Sequence, residues 1–238
     1  MNCYWWNRNN NCGDLCAPIV YEYFSGKNAV YSDHGPRYLI IGSILHKADD
    51  GDVIWGIGAK DSRHISRNLT FHMVRGPLTR KVLLDQGYKV PQIYADPAIF
   101  IPSILKIEKD PIVDFGVVPH FMDYDLAKNL GLNPIDILSG VRKVVLEMSK
   151  CKLIYSSSLH GIILSEAMGI PAVYVEFQKN RSRFKYYDYQ LGTGRQIKDP
   201  IDWTSSLKFS GDWEDPVFDW EGAISSCPFN FMKRSLDD

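Results

Sequence analysis

Short runs of β-branched, aromatic and aliphatic residues alternate along this chain with segments whose apolar positions recur every three or four residues. The short runs predict strands at 38–41, 53–57, 71–74, 92–95, 112–118, 134–138, 152–155 and 172–175, because a fully buried strand reads as a brief apolar block bounded by turn residues. The periodic segments predict helices at 15–24, 77–86, 141–150 and 161–168. Their ends are marked. Asp14 stands where a side chain can accept from the free N–H groups of a first turn, and Gly26 follows the last turn. Pro77 sits at a tolerated first-turn position, Gly87 lies beyond that helix, and Gly169 before Pro171 stops the fourth.

Strands alternating with helices imply βαβ units and a mostly parallel sheet. The segment 102–111, with its prolines and mixed charges, separates two such sets, so a boundary is expected near residue 110. This divides the chain into an N-terminal half, 1–110, and a C-terminal half, 111–238. The first residues read as irregular. A tail from about residue 199, carrying Trp203, Trp213 and Trp220 without a clear period, is expected to pack back on the N-terminal half.

Composition narrows the function. With 238 residues, 45% of them hydrophobic, the chain can bury a sizeable core. Its 27 Lys and Arg nearly cancel 28 Asp and Glu, so no overall field draws it to nucleic acid, and any anion binding has to be local. No apolar run reaches membrane-spanning length, and the first residues lack the unbroken apolar core of a signal peptide, which predicts a cytoplasmic protein. Five cysteines without a CxxC pair suit reduced thiols. Cys12 and Cys16 are four apart but have no histidine near them in sequence, and no metal site is expected.

Candidate chemistry gathers at the carboxyl ends of the predicted strands, where open α/β sheets bind ligands. Ser156-Ser157-Ser158-Leu159-His160-Gly161 places hydroxyls, backbone donors and an imidazole where a strand gives way to a helix, a place to hold an anion. Arg75 ends another strand just before Gly76-Pro77. Its guanidinium can grip a carboxylate or phosphate, and its charge sits badly against the positive end of the following helix unless an anion is there. His120 and Asp123 form a third strand-end pair, readable as a helix cap with a packing histidine or as substrate contacts. Arg181, Arg183, Lys185 and Arg195 are interleaved with Phe184, Tyr186, Tyr187 and Tyr189, a composition suited to sugars. Gly56-Ile57-Gly58 matches neither the dinucleotide nor the phosphate-loop pattern and reads as a tight turn.

Five of these segments occur in the order seen in polysaccharide pyruvyl transferases. They are Asn11-Cys12-Gly13-Asp14, Val74-Arg75-Gly76-Pro77-Leu78-Thr79-Arg80, Asp96-Pro97-Ala98, Pro119-His120 with Asp123, and the run from Ser156 to Gly161 followed by Ala167-Met168-Gly169-Ile170-Pro171. Over residues 10–195 the chain resembles that family, and within it the bacterial exopolysaccharide enzymes that form pyruvate ketals. The resemblance implies a GT-B-like fold, two Rossmann-like halves with a cleft between them. It implies phosphoenolpyruvate as donor substrate with no cofactor, and a sugar or lipid-linked oligosaccharide as acceptor, which would bring the protein to the membrane surface. His160 and Arg75 would then be catalytic, with Arg75, Ser157, Ser158, His160 and Gly161 at the donor and Asn11, Gly13, Asp14, His120 and Asp123 at the acceptor. Some relatives carry Arg two residues before the motif histidine, where this chain has Ser158, so Arg195 or Lys185 is the candidate to supply the missing charge. Two other readings stay open: a GT-B glycosyltransferase using a nucleotide sugar, and a non-catalytic binding subunit of polysaccharide assembly.

Overall fold

Two parallel four-stranded sheets carry the alternation. The computed structural model describes residues 1–65, 67–179, 181–203 and 214–229, so Trp213 lies outside the described residues. The elements run as β1 (Asn2–Tyr4), α1 (Cys12–Ser25), β2 (Arg37–Leu39), β3 (Val53–Trp55), β4 (Thr70–Met73), α2 (Pro77–Leu84), α3 (Ile101–Ile104), β5 (Gly116–Val118), α4 (Tyr124–Asn129), α5 (Val141–Ser149), β6 (Ile154–Ser156), α6 (Leu159–Ala167), β7 (Ala172–Glu176), α7 (Phe184–Gly192), β8 (Ile201–Asp202) and α8 (Trp220–Ser225). One sheet has the order β1-β2-β3-β4 and the other β5-β6-β7-β8.

The first sheet reverses direction at β1. Cys3 pairs with Tyr31 on one flank and with Tyr38 on the other, so the chain leaves β1, passes through α1 to one side and returns to β2 on the opposite side. In open parallel sheets such a reversal leaves a crevice beyond the carboxyl end of the strand. Trp6, Asn11 and Asp14 follow β1 at that place. In the second sheet, β5, β6 and β7 lead into His120, Ser157 and Phe177.

Several expectations change. The first residues are not irregular: Asn2–Tyr4 pair with β2 in a regular parallel register. The run at 134–138 forms no strand, holding to β5 through the Ile135 N–H on the Val117 carbonyl at 2.8 Å. The run at 92–95 contributes a single bridge, Val74 to Tyr94. Asp14 does not cap α1. The helix begins at Cys12, and the cap is Asn11, extended at φ −61° and ψ 121°, whose Oδ1 accepts from Gly13 N at 2.9 Å. That frees the Asp14 carboxylate, in the first turn, for other work.

Helix α1 bolts the halves together. Its stripe Cys12, Cys16, Val20 and Phe24 is buried in the same apolar cluster as Trp55 and Phe100 from the N-terminal half and Val144, Met148, Leu159 and Ile163 from the C-terminal half. Each such aliphatic or aromatic side chain contributes about 1.5–3 kcal/mol when fully buried, so the core runs across residue 110 without a break. Cys12 and Cys16 belong to this core, with the Cys16 thiol donating to the Cys12 carbonyl at 3.1 Å. Helix α8 lies on the N-terminal half, where the Trp55 indole N–H donates to the Ala223 carbonyl at 3.2 Å and Trp220 meets Phe100 edge-on. No helix among the described residues is long and apolar enough to cross a membrane.

Candidate functional site

The carboxyl ends of both sheets open into one cleft of about 510 Å³. The N-terminal half contributes Trp6, Asn11, Asp14, Ser43, His46 and Lys60, and the C-terminal half His120, Asp123, Ser157, Ser158, His160, Arg181 and Lys185. The expected residues Asn11, Asp14, His120, Asp123, Ser157, Ser158, His160 and Lys185 are thus brought together.

On the C-terminal wall, hydrogen bonds fix the strand-end loops. Ser157 Oγ donates to Asp123 Oδ2 at 2.8 Å and accepts from His120 N at 2.9 Å, while its carbonyl accepts from the Tyr186 hydroxyl at 2.7 Å. Its hydroxyl therefore ties loops together. Arg181 clamps Asp123 with Nη1 on Oδ2 at 2.9 Å and Nη2 beside Oδ1 at 2.8 Å. His120 Nδ1 accepts from Met122 N at 3.3 Å, so the ring is neutral at that nitrogen. Burial, together with Lys185, Arg181 and Lys60 nearby, pushes the His120 imidazole down to about 3.

Those same cations define the electrostatics. Lys60 and Lys185 make no side-chain hydrogen bond or ion pair among the described residues, and Lys185 only rests over the Tyr186 ring at 4.9 Å. Burial first, and then Arg75, Arg181 and Lys60, lower the Lys185 ammonium to about 8. Opposite it, burial raises the Asp14 carboxyl to about 6 despite the pull of His160 and Lys185. The first turn of α6 opens from Ser158, whose side chain does not cap it, leaving its N–H groups for another partner.

His160 sits at the seam. Its Nε2 is 3.6 Å from Asp96 Oδ2, and its ring lies against Gly13, where an added Cβ would come within 1.9 Å of Nδ1. Gly13 is therefore a seat for the ring and does not itself line the cleft.

Three expected donor contacts stand elsewhere. Arg75 is one layer behind the wall: its side chain is 0% exposed, with Nε and Nη2 on Asp188 Oδ2 at 3.2 and 3.0 Å, Nη1 on Ser43 Oγ and Nη2 also on the Ala59 carbonyl. The anion that its charge requires is Asp188 of α7. Arg195 forms a bidentate pair with Glu166 at 2.7 and 3.0 Å, away from the cleft lining. Gly161 faces inward, where a Cβ would meet Ser156 Oγ at 2.3 Å. Lys60, just after the Gly56-Ile57-Gly58 turn, lines the cleft, and Asp96, from the Asp96-Pro97-Ala98 motif, meets His160 behind the lining, a pairing that nothing local to Asp96 reveals. Among the described residues no group of His, Cys, Asp and Glu is arranged to hold a metal ion.

The profile described as polysaccharide pyruvyl transferase matches residues 23–178. An uncharacterized protein, L143, of Acanthamoeba polyphaga mimivirus is 33% identical over 175 residues, covering 66% of this chain and 60% of its own. The succinoglycan biosynthesis protein ExoV of Rhizobium meliloti is 25% identical over 209 residues, covering 80% of this chain and 64% of its own. The chain thus spans about three fifths of the length of these curated relatives. No solved structure matches.

Proposed function

The chain belongs to the polysaccharide pyruvyl transferase family, and from that premise we propose that it transfers pyruvate from phosphoenolpyruvate to two hydroxyls of a sugar in a polysaccharide or lipid-linked repeat unit, forming a ketal. The same reading takes the two halves as a GT-B-like pair acting in the cytoplasm, with the donor largely on the C-terminal side and the sugar against the N-terminal side. The observation that carries it is the convergence of Lys60, Arg181 and Lys185 with the uncapped start of α6 on one cleft that also holds His120, His160 and the Asp14 carboxylate. A donor bearing both a carboxylate and a phosphate needs such an excess of cations and N–H groups. Ser158, at the place where some relatives have Arg, is compensated by Lys185 and Arg181.

The cleft's groups can move the protons this chemistry requires. His160 gives a proton to the methylene carbon of phosphoenolpyruvate, which becomes a methyl group and leaves a cationic centre at the enol carbon. A sugar hydroxyl forms a C–O bond there and yields its proton to Asp14, whose raised pKa makes it an effective base. The bond from that carbon to the phosphate oxygen then breaks, and phosphate departs with the electron pair toward the cations, taking up the proton held by Asp14. The second hydroxyl closes the ketal, and its proton restores His160. Neutral His120 can donate a hydrogen bond without adding charge.

The test is release of inorganic phosphate from phosphoenolpyruvate in the presence of a panel of lipid-linked sugars, paired with thermal stability. Phosphoenolpyruvate should raise the melting temperature and nucleotide sugars should not. Stabilisation by a nucleotide sugar alone, with no phosphate released, would replace this reading with that of a glycosyltransferase.

A further inference from the structure

The contact between Asp96 and His160 crosses from one half of the molecule to the other. Asp96 follows Tyr94, which bridges to Val74 at the end of the first sheet, while His160 is in the first turn of α6 beyond the second. Asp96 Oδ1 accepts from Ala98 N at 3.0 Å and caps the short turn Pro97–Phe100. Asp96 Oδ2 has no hydrogen-bond partner among the described residues, nor has His160 Nε2, and both atoms are buried. They face each other at 3.6 Å, with the aspartate side chain 0% exposed and the histidine 12%. A buried acceptor and a buried ring nitrogen without other partners, turned toward one another, form a pair, because each left alone would bear the cost of desolvation. The ring's plane is fixed independently by Gly13, since any side chain there would overlap Nδ1.

We propose that Asp96 is a positioning residue for His160. Its Oδ2 keeps a proton on Nε2, so Nδ1 is left to exchange protons with the cleft, while the bare backbone of Gly13 sets the ring's orientation. The proton donor is thus assembled from both halves: α6 supplies the imidazole, and the N-terminal half supplies the carboxylate that selects its tautomer and the glycine on which it rests. This rests on the reading of His160 as the group that moves protons in pyruvyl transfer, and its test does not depend on that reading alone.

The direct measurement is the nitrogen NMR signature of His160 in the wild-type protein, assigned with His160→Gln. The Nε2–H tautomer is expected, and an Nδ1–H tautomer overturns the proposal whatever reaction the protein catalyses. Asp96→Asn is the matching variant. Its amide oxygen can still cap the Pro97–Phe100 turn, but its NH₂ would donate to Nε2 and drive the proton to Nδ1. The switched tautomer should appear in the spectrum, and kcat for phosphate release should fall roughly 10²- to 10⁴-fold, as expected when a catalytic imidazole is held in the wrong tautomer. Phosphoenolpyruvate Kd should stay within about threefold, since the cations are untouched. Gly13→Ala should lower kcat with Asp96 in place. If Asp96→Asn keeps wild-type kcat or leaves the tautomer unchanged, Asp96 is only a turn cap. If the wild type releases no phosphate with any acceptor while the tautomer switches as described, the functional reading fails and the positioning role stands.

Discussion

Replacing Arg75 with alanine should unfold the protein more readily and should not abolish donor binding. Arg75 and Asp188 are each 0% exposed, and the carboxylate also accepts from Thr79 N at 2.9 Å and Thr79 Oγ1 at 2.7 Å. Removal of the guanidinium leaves a buried carboxylate with only the two Thr79 donors, a loss of about 3–5 kcal/mol. For a chain of this size each kcal/mol shifts the melting temperature by about 2–4 °C, so a fall of roughly 6–20 °C is expected. The surrounding backbone leaves little room to relax: a Cβ on Gly58 would lie 2.1 Å from the guanidinium, and one on Gly76 would lie 1.9 Å from the Asp188 carbonyl. The double variant Arg75→Met with Asp188→Leu should recover much of the stability, since an apolar pair of similar volume carries no desolvated charge. Calorimetry gives the melting temperature, and titration calorimetry below the transition gives the phosphoenolpyruvate Kd. Wild-type stability together with lost donor binding would show that Arg75 reaches the ligand and that the Asp188 pair is not what holds it.

The cleft's titrations give further expectations. Lys185 is charged only below about 8, so phosphoenolpyruvate affinity should weaken as pH rises through that value, and Lys185→Met should remove both the affinity and its pH dependence; a flat profile in the wild type contradicts this. Asp14, raised to about 6 from 3.8, binds protons more tightly when folded, so its stability contribution is lost as pH climbs from about 4 to about 6. Asp14→Asn should therefore melt higher than wild type at pH 7.5 and no differently at pH 4, while acceptor-dependent turnover falls about 100-fold; equal melting shifts at both pH values would mean the carboxyl is not perturbed. Asn11→Ala should cost about 1 kcal/mol of stability as a lost helix cap, read by chemical denaturation, and an unchanged midpoint would move the cap elsewhere.

How far the sequence reveals this arrangement depends on the range of the interaction in question. Helices α2 and α5 are legible because proline, glycine and the apolar stripe mark them locally. Strand β1 is not, since three residues with one asparagine make no pattern until β2 and Tyr31 flank them. The run at 134–138 fails in the opposite sense: it is apolar enough for a strand, but its burial is met by packing against the core without a ladder. Residue types at strand ends are equally visible, which is why His160, His120 and Asp123 fall in the cleft, while Lys185, in the first turn of α7, is visible through its basic, aromatic-rich segment. What those residues face is invisible, because Arg75 and Asp188 are 113 positions apart and the partner alone decides whether a buried arginine binds a substrate or holds two halves together. The glycine after Arg75 illustrates the ambiguity. In a strand-to-helix turn it suggests close approach by a ligand, whereas here the approaching group is the backbone of α7 at Asp188. The same logic applied to Gly13 has the approaching group as an imidazole, so one glycine serves the fold and the other the chemistry, and only the three-dimensional neighbour distinguishes them.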